Sequence, residues 1–220
     1  MDRATAPPTA ARRPIAARRL GVSRAAAHWL ARRGVSANAI SLAGMGAGLA
    51  AGAALALTAG AGDPAGWWLT AALLVQARLA ANMLDGMVAL ETGTASALGE
   101  LMNEMPDRVS DSAVLIGLGY AAGGDAVLGW AAALAAMATA YVRVAAVAAG
   151  APADFGGPMA KQHRMFLVTL VALWGTLASV AGWRLGHAAT TALTLIVSGS
   201  LVTAGLRAYR AGEALKDRRQ

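Results

Sequence analysis

Between residues 82 and 111 the chain places Asn82, Asp85, Glu100, Asn103, Glu104, Asp107 and Asp111 within segments otherwise apolar enough to cross a bilayer. A carboxylate at membrane depth is costly, so it ordinarily faces a polar cavity where it binds, conducts or reacts. Asn82 and Asp85 are three residues apart and share one helix face. Glu100, Asn103 or Glu104, Asp107 and Asp111 follow the spacing of a second helical stripe. On consecutive antiparallel helices the two stripes would face each other near one membrane surface. Clustered oxygen donors, with no cysteine in the chain and no histidine close by, suit a hard cation such as Mg²⁺ or Mn²⁺. Gly86 and Gly99 leave room for a flat or bulky group against the backbone. The alternative is a set of polar pairs that only join two helices. It leaves several carboxylates with few basic partners in sequence.

These residues need long apolar helices to hold them. Of 220 residues, 57% are hydrophobic and 14% charged, with mean hydropathy +0.50. A soluble domain carries roughly 25% charged residues. The apolar runs predict an all-α integral membrane protein of six transmembrane helices, near 39–60, 66–90, 97–121, 126–149, 165–183 and 188–208. The third is the most polar and is retained because its acidic residues recur at helical spacing. Residues 1–13 read as a disordered basic arm. Residues 14–34 set Ile15, Leu20, Trp29 and Leu30 among arginines and read as a basic amphipathic surface helix. The membrane domain would span 35–210, and 211–220 would form a basic cytoplasmic tail.

Charge sets the orientation. Eight arginines (Arg3, Arg12, Arg13, Arg18, Arg19, Arg24, Arg32 and Arg33) precede the first apolar run. The first and third loops carry no Lys or Arg, and the fifth only Arg184. Both termini are therefore expected in the cytoplasm of a multi-pass inner-membrane protein. Anionic lipid headgroups, rather than nucleic acid, are the expected partners of the N-terminal arginines. No short apolar stretch with a cleavage site opens the chain, so the N-terminus is expected to be retained. Zero cysteines exclude disulfides and thiolate ligands. Three isolated histidines give no zinc pattern.

The run NMLDGMVALETGTASALGELMNEMPD (82–107) resembles the signature of the CDP-alcohol phosphatidyltransferase family, D-x2-D-G-x2-A-R-x8-G-x3-D-x3-D. Asn82, Asp85, Gly86, Ala89, Leu90, Gly99, Asn103 and Asp107 fall on its eight positions without a gap. Asp85, Gly86, Ala89, Gly99 and Asp107 keep the family residue, whereas Asn82, Leu90 and Asn103 replace Asp, Arg and Asp. Ala37-Asn38-Ala39-Ile40-Ser41 is similar to a Pro-Asn-x-Ile-Thr run of relatives. The resemblance implies a six-span fold and a homodimer. It also implies two divalent cations on the motif aspartates, a CDP-activated lipid at the cytoplasmic face, and transfer of its phosphatidyl group to a small alcohol with release of CMP. By position, Asp107 would be the general base. Asp85, Asn82, Asn103 and Asp107 would hold Mg²⁺ or Mn²⁺, with Glu104 restoring charge lost at Asn103. Asn38, Ser41, Asp85, Gly86, Ala89 and Gly99 would shape the CDP pocket.

Other charges have expected places. Arg78 and Asp111 should lie at similar depth and form a structural ion pair. Arg143, inside the fourth span, together with Lys161 and Arg164, would grip an anionic acceptor such as a polyol phosphate. Arg108 would neutralise local charge. Two other classes fit parts of the pattern. A catalytically silent relative would explain the two Asp-to-Asn changes and the missing arginine. A small transporter would place charges near the midplane, often with inverted repeats, and no repeat is visible here.

Overall fold

The computed structural model describes residues 21–94 and 96–217, apart from the side chains of residues 97, 98 and 100. The expected arm (1–13), the start of the surface helix (14–20), the Glu100 side chain and residues 218–220 lie outside the described residues. The described chain is entirely helical: α1 (Gly21–Arg32), α2 (Ala37–Leu57), α3 (Ala65–Glu91), α4 (Ala97–Tyr120), α5 (Ala126–Ala148), α6 (Lys161–Ala181) and α7 (Ala188–Asp217). Ser36, Ser96 and Asp125 cap α2, α4 and α5, each accepting from the backbone N–H three residues on. Gly182, at φ 68°, ends α6 in a left-handed turn open to glycine.

Helices α2, α3, α5, α6 and α7 are long and apolar enough to cross a membrane, and the protein is a membrane protein. Helix α4 has the length, about 36 Å at 1.5 Å per residue, but its charged residues keep it out of that set. The helices follow the expected segments closely except at two ends. Helix α6 begins at Lys161, so Lys161 and Arg164 belong to its first turns rather than to a loop. Helix α7 runs unbroken to Asp217, so most of the expected tail is helix.

The packing departs from the simple expectation for α3 and α4. These two meet only sparsely, and α2 packs along both of them. The cause is the small-residue face of α2. A Cβ on Gly48 would stand 2.4 Å from Ser110 Cβ, and one on Gly52 would stand 2.3 Å from the Ala113 carbonyl oxygen. Only backbones without side chains approach so closely. The link from α3 to α4 is left to long polar side chains. Elsewhere α5 packs on α7 and α4, α3 on α6, and α1 on α3.

The interior is built largely from small residues such as Ala51, Ala71, Ala132 and Ala172, with Leu115, Leu193 and Trp68 among them. Trp68 is buried against Gly175, whereas Trp67, Trp130 and Trp183 are exposed. Large apolar side chains such as Leu73, Leu134 and Val180 point outward, an arrangement suited to a lipid solvent. Helix α1 lays Ala27 against Ile40 and Val88, and His28 contacts Glu91 at the end of α3.

Candidate active site

The motif lies where the C-terminal half of α3 passes the N-terminal half of α4. Asp85 is buried. It accepts a hydrogen bond from Ser41 Oγ at 2.7 Å and from its neighbour's Gly86 N–H at 2.5 Å. Ser41 is thereby tied to the motif from α2. Asn38 stands exposed one turn earlier, and the Gly99 N–H is engaged by Ser96 Oγ at 3.1 Å. Leu90, at the arginine position, is exposed near the end of α3.

Asp107 is the hub. Asn82 Nδ2 donates to both of its carboxylate oxygens at 2.9 Å, and to Asn103 Oδ1 at 3.3 Å. Lys161 Nζ contacts Asp107 Oδ2 and lies 2.9 Å from Asn82 Oδ1. Arg78 Nη2 reaches Asp107 Oδ1 at 3.2 Å and Asp111 Oδ1 at 2.5 Å, while its Nε donates to Ser110 Oγ at 3.0 Å. Arg164 Nη2 lies 3.7 Å from Asp111 Oδ2, and its Nη1 donates to the Met159 carbonyl at 2.9 Å. Pro106 inside α4 lacks an N–H, which removes the hydrogen bond to the Met102 carbonyl in the turn that presents Asn103 and Asp107.

Glu104 is engaged differently from the expectation that it supplements the motif as a ligand. Arg143 Nη2 donates to both its oxygens at 2.8 Å, and Arg108 contacts it from one turn away. Two guanidinium groups already claim this carboxylate. Lys161 and Arg164 likewise turn to Asp107 and Asp111. Of the three expected acceptor-binding cations, only Arg143 lines the neighbouring cleft.

That cleft, of about 290 Å³, is lined by Arg143, Pro152, Asp154, Arg207 and Arg210 among others. Arg143 stacks over the Phe155 ring at 4.9 Å. Arg207 donates to the Thr139 carbonyl at 2.8 Å and the Gly156 carbonyl at 2.9 Å. Arg210 pairs with Asp154 at 3.2 Å, and Gly156 N–H donates to Asp154 at 2.7 Å. Burial pushes the Asp154 carboxyl up, but the Gly156 amide and Arg210 outweigh it and hold the group below its ordinary 3.8. Arg207 and Arg210 were not among the cations expected to grip an anionic acceptor. Their i, i+3 spacing at the end of a long helix was the available signal.

The donor set can be weighed against the expected cations. Asp85 and Asp107 supply carboxylate oxygens, and Asn82 and Asn103 amide oxygens. Asp107 and Asn82 already receive Lys161, and Asp107 also receives Asn82 and Arg78. Among the described residues no group of three or more His, Cys, Asp or Glu converges as a metal cage. These residues fit one hard cation, which tolerates one or two carboxylates and completes its shell with water. They fall short of two.

Comparison with known proteins agrees with the fold and the motif. The chain is 28% identical over 152 residues to the Escherichia coli (strain K12) inner membrane protein YnbA, covering 69% of this chain and 72% of that one. Its fold is similar to Mycobacterium tuberculosis phosphatidylinositol phosphate synthase with CDP-DAG bound, with TM-score 0.70, 22% identity, and coverage of 86% and 93% of the two chains. The same synthase in complex with manganese and citrate gives TM-score 0.68 and 23% identity, covering 86% and 88%. A sequence model of the CDP-alcohol phosphatidyltransferases matches residues 34–204, from the loop before α2 to deep within α7. With the motif spacing, the helical scaffold and this match all in agreement, the chain belongs to the CDP-alcohol phosphatidyltransferase family.

Proposed function

We propose that the protein transfers the phosphatidyl group of a CDP-activated lipid to the hydroxyl of a small phosphorylated alcohol, releasing CMP. The observation that carries this reading is the hydrogen-bonded meeting of Asn82 on α3 with Asp107 on α4, with Arg143 reaching from Glu104 of α4 to an arginine-lined cleft. Asp107 accepts the proton of the attacking hydroxyl. Asp85, with Asn82 and Asn103, would hold Mg²⁺ or Mn²⁺. Such an ion supplies neutralisation of the charge that develops on a diphosphate leaving group. Ser41 orients Asp85. Asn38, Gly86, Ala89 and Gly99 form the cytidine side of the site, where small residues let a flat base approach. Arg143, Arg207 and Arg210 receive the acceptor's phosphate, and guanidinium forks match its oxygens. Arg78 and Asp111 form the floor.

In this reading α2 to α7 all cross the membrane and α1 lies on its cytoplasmic surface. Both termini are cytoplasmic, and the active enzyme is a homodimer in an inner membrane. The loops at the end opposite the motif carry a single basic residue, Arg184, which supports that orientation.

The purified chain in lipid nanodiscs, given CDP-diacylglycerol and Mn²⁺, should release CMP in the presence of glycerol phosphate or inositol phosphate. Serine, which lacks a phosphate, should support much less. Asp107→Asn should abolish the release. The specific observation favouring a second reading is that Lys161 and Asn82 occupy Asp107. A silent, lipid-binding relative would release no CMP with any acceptor yet still bind the CDP lipid.

A further inference from the structure

The motif has lost carboxylates at Asn82 and Asn103, and a cation has arrived in their midst. Lys161 stands at the first position of α6, yet its ammonium lies between Asn82 Oδ1, at 2.9 Å, and Asp107 Oδ2. Its side chain is only 11% exposed. An ammonium bridging an amide oxygen and a carboxylate does what a hard cation does at such a place. It cancels the charge and points donors at the surrounding oxygens.

The carboxylates beside it are already compensated: Asp107 pairs with Arg78 and Lys161, and Asp111 with Arg78 and Arg164. A divalent ion set between Asn82 and Asp107 would have to displace the ammonium, and it would find one carboxylate where the family pattern offers more. Asp85 sits apart, with Ser41 and Gly86 on its oxygens and no arginine or lysine in hydrogen-bond contact among the described residues. A second cation has a place only on the Asp85 side.

We propose that the Lys161 ammonium permanently occupies one of the two cation positions of the family site, so that this protein binds a single divalent ion. The proposal deepens the catalytic reading above and rests on it for the identity of the site. Its test does not depend on turnover. Mn²⁺ binding to the full-length protein in nanodiscs is counted by electron paramagnetic resonance of the free ion. The wild type should bind one Mn²⁺ per chain, and Asp85→Asn should bind none. Asn82→Asp should leave the count at one, and Asn82→Asp with Lys161→Met should raise it to two. A wild-type count of two or of zero overturns the proposal, as does a double variant that stays at one.

If the double variant does not yield a folded protein, Lys161→Gln alone is read. Removing a unit charge beside the ion should tighten Mn²⁺ binding by about tenfold or more, and unchanged affinity overturns the proposal. Absent CMP release with the expected counts would sink the catalytic reading and leave this one standing. CMP release with a count of two would do the reverse.

Discussion

At the scale of single residues, Arg78 touches Asp107, Asp111 and Ser110 at once and is almost fully buried. Removing one member of a buried pair leaves the other charge uncompensated, at a cost of about 3–5 kcal/mol. Arg78→Met and Asp111→Leu should each lower the thermal midpoint of the purified protein sharply. The exchange Arg78→Asp with Asp111→Arg should recover part of it, and no recovery would mean that the pair is not what holds the floor. Asp154 gives a pH signature. Its carboxyl is held below 3.8 in the fold, so its contribution is complete above that value and fades as pH falls through the lower, folded value. Asp154→Asn should therefore lower stability at pH 7 and flatten the acid limb of the profile, converging on the wild type below the folded value. The eight motif positions were legible through their resemblance to the family signature. The ammonium on Asp107 was not, because Lys161 is 54 residues away in sequence and only the fold aims it there. The pairing of Glu104 with Arg143 was hidden for the same reason, since Arg143 arrives from another helix.

At the scale of elements, the α2–α4 seam positions the site, because Ser110 lies one turn beyond Asp107 and against Gly48. Gly48→Ala and Gly52→Ala should each force these helices apart, destabilising by about 1–3 kcal/mol and lowering CMP release. Gly46→Ala, which meets nothing within 4 Å, should be neutral or slightly stabilising. The comparison is read from unfolding midpoints in one lipid. Helix positions were legible because apolar runs mark them, apart from the start of α6 and the end of α7. The intrusion of α2 along both α3 and α4 was not, since periodicity shows which face is small but not which neighbour it meets. The extension of α7 was hidden by charged residues that suit a solvated helix as well as a tail.

At the scale of the molecule, orientation is open to direct measurement because the chain has no cysteine. Thr94→Cys, exposed beyond α3, should react with an impermeant maleimide in inverted inner-membrane vesicles and not in intact cells with a permeable outer membrane. Gly62→Cys, exposed in the loop between α2 and α3, should show the opposite pattern. Matching labelling of both would refute six crossings. The glycine- and alanine-lined seams carry a further consequence. Joints of this kind have little oily surface to hide from water, so they endure only while the surrounding acyl chains do not wedge between them. Transfer to a short-chain detergent should silence the protein while its helical circular dichroism stays intact, and return to a bilayer should revive it.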